Sequence, residues 1–229
     1  MYIYTNGAFG TNLPQTQNIM KKLFYLAISV MACLFTACEP NNLNVRNEYE
    51  SVDLGLSVKW ATCNVGANTP EDYGNYYAWG ETSTKTEYRW STYQYGDGEN
   101  FTKYGMYDER TILDISDDAA YMNWGGSWRM PTYLEWEELR NNCAWTWYNS
   151  NGVRGFKVTA SNGNSIFLPA TGEYDGSSPD GVGSEGGYWS CSRASFNEYT
   201  AHAVVFRGGG VLKGKRWYYT GLSVRPVCQ

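Results

Sequence analysis

The sequence feature that most restricts the fold class is its many aromatic residues, which occur in short segments between glycines. The 229 residues include 20 Tyr, 10 Trp and 8 Phe, together with 25 Gly. A helical bundle needs sustained apolar stripes at helical spacing, whereas short aromatic segments between glycine-rich turns are typical of sheets and loops. We predict a β-rich, loop-rich domain. Its 23 acidic residues outnumber its 18 basic ones, which argues against nucleic acid as a partner.

The first forty residues have the pattern of a bacterial lipoprotein leader. Lys21 and Lys22 precede an uncharged apolar run at 23–35, and small residues lead to Cys38. This order is that of a signal peptide, and the run is shorter than the roughly 20 residues of a membrane-spanning helix. We predict a signal peptide at 20–37 that is cleaved before Cys38, which is then lipidated. The lipid is the expected contact with the membrane.

The leader defines the predicted organisation of the chain. Residues 1–19 precede the basic start and are interpreted as an upstream extension, residues 38–49 as a lipidated tether, and residues 50–229 as one domain. The protein is expected to be exported and anchored at the outer membrane or cell surface. Lipidation at Cys33, a buried N-terminal helix and an uncleaved anchor are the weaker alternatives.

The C-terminal segment at 199–229 contains basic residues and no acidic one. Its cations are Arg207, Lys213, Lys215, Arg216 and Arg225. One interpretation is a solvated strand face, and the other is a site for an anionic partner.

The cysteines of the domain are even in number. Cys63, Cys143, Cys191 and Cys228 permit two disulfides in an exported protein, with three possible connectivities. The sequence equally permits free buried thiols.

Periodicity predicts a mixed order of strands and short helices. Alternating apolar residues predict a strand at 52–60 with a bend at Gly55, and Asn162-Gly163 predicts a hairpin. The acids Asp117 and Asp118 at the start of 116–122, and the Thr132-x-x-Glu135 capping box, predict two short helices. Segments 64–107 and 169–187 are predicted to be loops, and 201–207, 211–219 and 222–228 to be strands. The fold class is therefore α+β with antiparallel strands, two short helices and long loops.

Several separated motifs resemble one known family. They lie at 52–62, 77–81, 124–132, 135–136, 188–190 and 221–227. In this order they are similar to the Fibrobacter succinogenes major paralogous domain, common in exported lipoproteins of gut Bacteroidetes, over residues 51–228. The resemblance implies a C-type-lectin-like fold, also used by formylglycine-generating enzymes, in which the first strand pairs with the last. It implies no general enzymatic activity, and Cys191 departs from the serine usual at its position.

The sequence offers little for catalysis or metal binding. His202 is the only histidine and lies in a predicted strand, so it is expected to be packed rather than reactive. Cys191 and Cys228 belong to no local motif. Asp114, Asp117 and Asp118 lack the alternation of a calcium loop and are assigned to helix capping. Residues 209–215 have phosphate-loop spacing, but Arg216 follows where magnesium needs Ser or Thr.

Binding is therefore the predicted function. In C-type-lectin-like folds, ligand contacts come from long loops and C-terminal strands, which the resemblance places at 192–199 and 207–219. The candidate ligand-binding residues are Arg193, Ser195, Asn197, Tyr199, Arg207, Lys213, Lys215, Arg216, Trp217 and Tyr219. We predict a non-catalytic surface module that binds a glycan or a surface protein without calcium or any cofactor. The alternatives are a structural or tip component of a surface appendage, and an enzyme of formylglycine-generating-like fold.

Overall fold

The computed structural model describes Met1 and residues 49–196, 198–208 and 210–229, without the side chains of Leu212 and Lys213. These residues form mostly antiparallel sheets with two α-helices. The predicted upstream extension, signal peptide, lipidation site at Cys38 and most of the tether lie outside the described residues, as does Asn197.

The two ends of the domain at 49–229 meet in one small sheet. Strands β1 (Ser51–Val52), β2 (Lys59–Ala61) and β13 (Val227–Cys228) pair antiparallel in the order β1-β2-β13, with Trp60 opposite Val227. The predicted bend at Gly55 is confirmed, but the predicted continuous strand at 52–60 is wrong, because the chain leaves the sheet between β1 and β2. The Asp53 carboxylate accepts the backbone N–H of Gly55, whose φ of 70° turns the chain there. Leu54 and Val58 are still buried, so the alternation reports burial rather than a continuous strand.

Both predicted helices are confirmed, and their caps explain where they begin. Helix α1 (Ala119–Trp124) follows a 3₁₀ turn at Ile115–Asp117, and the Asp118 carboxylate accepts the N–H groups of Ala120 and Tyr121. Helix α2 (Tyr133–Asn142) begins with the predicted capping box, in which Thr132 and Glu135 bond reciprocally. The caps satisfy backbone donors that a helix start leaves open.

A three-stranded sheet follows α2 directly. Its strands β4 (Cys143–Ser150), β5 (Val153–Ala160) and β6 (Ser165–Pro169) pair in sequence order, and the predicted Asn162-Gly163 hairpin joins the last two. Strand β4 was not predicted. Its side chains alternate only between half-buried and exposed, because it forms the edge of the sheet, and this weakens the period-2 signal.

The largest sheet has five strands in the order β11-β10-β9-β12-β3. They are β3 (Tyr76–Tyr77), β9 (Glu185–Ser195), β10 (Thr200–Arg207), β11 (Gly210–Trp217) and β12 (Leu222–Ser223). The short pair β7 (Glu173–Tyr174) and β8 (Pro179–Asp180) lies in the predicted 169–187 loop. The predicted strand at 222–228 is broken between β12 and β13, where Arg225 turns inward before Pro226.

The core is built largely from aromatic rings. Trp60, Trp79, Trp128, Trp136 and Trp189 are all fully buried. The indole N–H groups of Trp79, Trp136 and Trp189 each donate to a backbone carbonyl of a distant segment. These bonds tie β3, the loop residue Trp79 and helix α2 to β9.

Candidate functional site

A groove runs beside β11 and is lined by residues from three separate segments. Its volume is about 660 Å³. Its lining residues are Glu173, Asp175, Glu198, Thr200, Lys215, Arg216, Trp217 and Thr220. We call it the Trp217 groove. Its size is that of small-ligand sites, which combine apolar surface with a few converging polar groups.

Trp217 provides the apolar surface of the groove. It is the last residue of β11 and is 51% exposed. The two rings that follow it are buried: Tyr218 stacks on Trp79, with ring centroids 4.6 Å apart, and Tyr219 packs against Trp90. Tyr219 is therefore a support for Trp217, whose ring lies 5.6 Å from it, rather than an exposed ligand contact.

The cations of the C-terminal segment meet carboxylates from other parts of the chain. Nε of Arg216 lies 2.6 Å from a carboxylate oxygen of Glu173, and Lys215 pairs with Glu198. At the far end of β10, Nε of Arg207 lies 2.9 Å from Glu185. Of the two interpretations of the basic stretch, these ion pairs favour the solvated strand face, because Arg207, Lys215 and Arg216 each already have an anionic partner.

Arg225, the last cation of that segment, is buried in the core. Its guanidinium donates to Oδ1 of Asn64 and to the carbonyls of Ala61, Thr62 and Phe167. It therefore holds the fold together and takes no part in the surface charge.

One residue that lines the groove, Thr200, has an unusual polar group. Its side chain is buried, and its hydroxyl has no hydrogen-bond partner within the described residues. A buried hydroxyl without a partner costs free energy, and its burial keeps it out of reach of a ligand in this conformation.

A second groove, of about 500 Å³, lies on the other side of the β9–β10 turn. We call it the Tyr107 groove. Its lining residues are Glu99, Asn100, Phe101, Thr102, Lys103, Gly105, Met106, Tyr107, Asp108 and Tyr199. Tyr199 stacks on Phe101, with ring centroids 4.0 Å apart. Tyr107 is 94% exposed.

Arg193 shapes the Tyr107 groove from behind. Its guanidinium donates to the backbone carbonyls of Tyr104, Gly105 and Asp108, and its side chain is buried. Because these bonds fix the loop that lines the groove, Arg193 is a positioning residue and not an exposed ligand contact. Ser195 is half-buried at the end of β9.

Only some of the ligand-binding residues predicted from the sequence line these grooves. Of the predicted residues, Lys215, Arg216 and Trp217 line the first groove and Tyr199 lines the second, while Arg207 lies apart from both. Asn197 and the Lys213 side chain lie outside the described residues. Glu173, Asp175, Thr200 and the 99–108 loop were missed. No local signal marks them, since Glu173 is 43 residues from its partner Arg216.

The two residues considered for catalysis are in packed surroundings. The His202 ring stacks on Tyr133, with ring centroids 4.0 Å apart. Burial raises the pKa of the Cys191 thiol to about 12, which strongly disfavours the thiolate at neutral pH. The expectation of a packed histidine is confirmed.

The acidic cluster before α1 serves the fold. Besides capping α1, Asp118 accepts the N–H of Met130, and Asp117 accepts the hydroxyls of Tyr95 and Tyr104 and pairs with Lys103. The helix-capping assignment is confirmed for Asp118. Among the described residues no group of acidic, histidine or cysteine side chains is arranged to hold a metal ion.

The cysteines form no disulfide in the described domain. Cys63, Cys143, Cys191 and Cys228 are all free thiols, and only Cys143 is not buried. The sequence permitted either two disulfides or free thiols, and the structure has free thiols.

Comparisons with protein-family models, with curated proteins and with solved structures find no match to this chain. Within the described part of the chain, no helix has the length and apolar character needed to cross a membrane. The described part of the chain is therefore a mostly antiparallel, aromatic-rich domain. Its Trp217 groove contains both acidic and basic side chains around an exposed tryptophan.

Proposed function

We propose that this protein is an exported lipoprotein whose domain is a non-catalytic binding module for a surface glycan. The Trp217 groove is its binding site. The observation that carries the proposal is the exposed Trp217 ring next to the Arg216–Glu173 pair, because a sugar presents an apolar face to a ring and hydroxyls to paired donors and acceptors.

The proposed fold is C-type-lectin-like. The antiparallel pairing of β2 with β13 supports it, because closure of the domain by its first and last strands is what the sequence resemblance implies. The motifs at 52–62 and 221–227 lie in this closure. Function is proposed from the groove and not from the fold.

Binding is proposed to need no calcium. Two of the three carboxylates that line the Trp217 groove face cations of the chain itself, Glu173 facing Arg216 and Glu198 facing Lys215. Ligand hydroxyls would bond to these pairs directly, so a divalent ion has no required role.

A glycan and matrix-protein array, probed with the full chain in detergent, tests the proposal. It is run in calcium and again in EDTA, with the wild type and the Trp217→Ala variant. We expect glycan binding that persists in EDTA and falls at least about tenfold in Trp217→Ala. Tyr148→Ala removes a half-exposed ring from β4, outside both grooves, and is the matched control. Binding lost in EDTA, or equal in both variants, contradicts the proposal.

A second candidate function, as a component of a surface assembly, is supported by strand β4. It is an edge strand of eight residues, pairs with β5 without a register shift, and contains no charged residue. Edge strands are usually protected by charge or irregularity, and an unprotected one accepts another strand. Thr146→Lys adds a charge at an exposed position of β4. If β4 docks a partner, crosslinked assemblies on cells will disappear in this variant while glycan binding persists.

A further inference from the structure

The two grooves meet at a single turn of the chain. Glu198 lines the Trp217 groove and Tyr199 lines the Tyr107 groove, and both belong to the turn between β9 and β10. The turn holds Tyr199 at a φ of 50°, a left-handed conformation that is unfavourable for a residue with a side chain. This conformation accompanies the stacking of its ring on Phe101.

A continuous series of aromatic contacts connects the grooves. Ring centroids are 5.6 Å apart from Trp217 to Tyr219, 4.9 Å from Tyr219 to Trp90, and 6.4 Å from Trp90 to Tyr199. The series ends on Phe101, 4.0 Å from Tyr199. Tyr219 is buried beneath it, while Trp90, Tyr199 and Phe101 are half-buried and Trp217 is exposed. The surface between the grooves therefore presents the rings of Trp217, Trp90, Tyr199 and Phe101, and the buried Tyr219 ring joins Trp217 to Trp90 from below.

Among the described side chains, each cation that lines the grooves faces a carboxylate of the chain. Arg216 pairs with Glu173 and Lys215 with Glu198, and in the Tyr107 groove Nζ of Lys103 lies 2.7 Å from Asp114 and also pairs with Asp117. A sulfate or carboxylate on a ligand would have to compete with one of these carboxylates for its cation, and would lose part of its attraction in doing so. An uncharged ligand with many hydroxyls meets no such competition.

We infer that the grooves are two halves of one track, and that its ligand is a linear, uncharged oligosaccharide lying across the β9–β10 turn. The inference rests on the proposed glycan-binding function and adds the charge class and length of the ligand. One part of the sugar chain lies on Trp217, and a later part reaches Tyr107. Each additional sugar then adds contacts until the track is full.

Titration calorimetry with oligosaccharide ladders tests this. The probes are cello-, xylo-, manno- and malto-oligosaccharides from disaccharide to octasaccharide, with oligogalacturonates as anionic counterparts. The full chain is compared with Trp217→Ala, Tyr107→Ala and the control Tyr148→Ala. Tyr107 is suited to substitution because its side chain, at 94% exposure, supports no packing.

We expect at least one neutral ladder to bind with an affinity that rises at least about tenfold from its shortest to its longest member and then levels off. Tyr107→Ala is expected to weaken only the long members, and Trp217→Ala to weaken all of them. If affinity does not depend on oligosaccharide length and Tyr107→Ala has no effect, the two grooves do not bind one ligand. The proposed binding of a glycan in the Trp217 groove alone would then remain. Preference for oligogalacturonate overturns the uncharged ligand. If no ladder binds, the inference fails, and a blank array in addition removes the proposed function itself.

Discussion

Nε of Arg225 donates a 2.8 Å hydrogen bond to Oδ1 of Asn64, deep in the core and 161 residues away in sequence. No carboxylate accepts from this guanidinium among its described hydrogen bonds; its other acceptors are backbone carbonyls of the β2 end and of β6. Burial lowers the pKa of Arg225 from its ordinary value, because the charged form is poorly solvated there. One side chain thus connects the C-terminal segment to both neighbouring sheets.

Arg225→Met is expected to lower the free energy of unfolding by more than about 3 kcal/mol, because several buried acceptors lose their donor together. Urea denaturation followed by tryptophan fluorescence measures it. Arg89→Lys, at an exposed position, is the control and should change the value by less than about 0.5 kcal/mol. Equal stability of the two variants would show that the carbonyls find other donors.

Glu173→Gln is expected to leave the Arg216 guanidinium without its anionic partner, because the amide oxygen can still accept a hydrogen bond but carries no charge. The variant should elute later than the wild type from a heparin column, since a free guanidinium binds sulfate. Glu71→Gln changes the net charge equally but releases no cation, since Glu71 accepts from Ser150 and Asn151. Identical elution of the two variants would mean that net charge alone sets retention.

The Arg129–Glu135 pair at the start of α2 makes stability depend on pH. Burial opposes ionisation of Glu135, but the hydrogen bonds from Arg129 and from the Thr132 N–H are stronger in sum and hold its pKa below its ordinary value. A lowered folded pKa stabilises the protein above the unfolded pKa of about 4.3, and this contribution is lost as the pH falls through the folded pKa.

Glu135→Gln should therefore cost roughly 1–2 kcal/mol near neutral pH, and the difference from wild type should shrink in acid. Urea unfolding at about pH 7 and about pH 3 measures it. Glu109→Gln, an exposed carboxylate, is the control. A difference that is constant across pH would show that packing, not charge, is lost.

The free thiols should differ in their reaction with iodoacetamide. Cys143 is half-buried, whereas Cys63, Cys191 and Cys228 are buried, so Cys143 should be labelled first in the native protein. Peptide mass mapping follows each site. After unfolding without reductant all four should react, and a site that reacts only after reduction would reveal a disulfide.

Local features of the sequence were sufficient for parts of the fold. The Thr132–Glu135 capping box predicts where α2 begins because cap and partner are three residues apart, and Asn162-Gly163 predicts its hairpin because the turn needs only those residues. Strand β4 was not predicted, because at the edge of its sheet the alternation between buried and exposed side chains is weak. Strand β9 was missed because it is almost continuously buried, and such a run has no period to detect.

The sequence by itself determined an aromatic-rich, mostly antiparallel domain, its two short helices and its hairpin, and it placed Trp217 among the candidates without deciding whether the ring is exposed. Only the tertiary structure decided the charge of the site. Arg216, Lys215 and Arg207 lie in a stretch without acids, yet each meets a carboxylate from β7, the β9–β10 turn or β9. Periodicity and capping act between residues a few positions apart, whereas Coulomb interactions depend on distance in space, which the chain sets only when it folds.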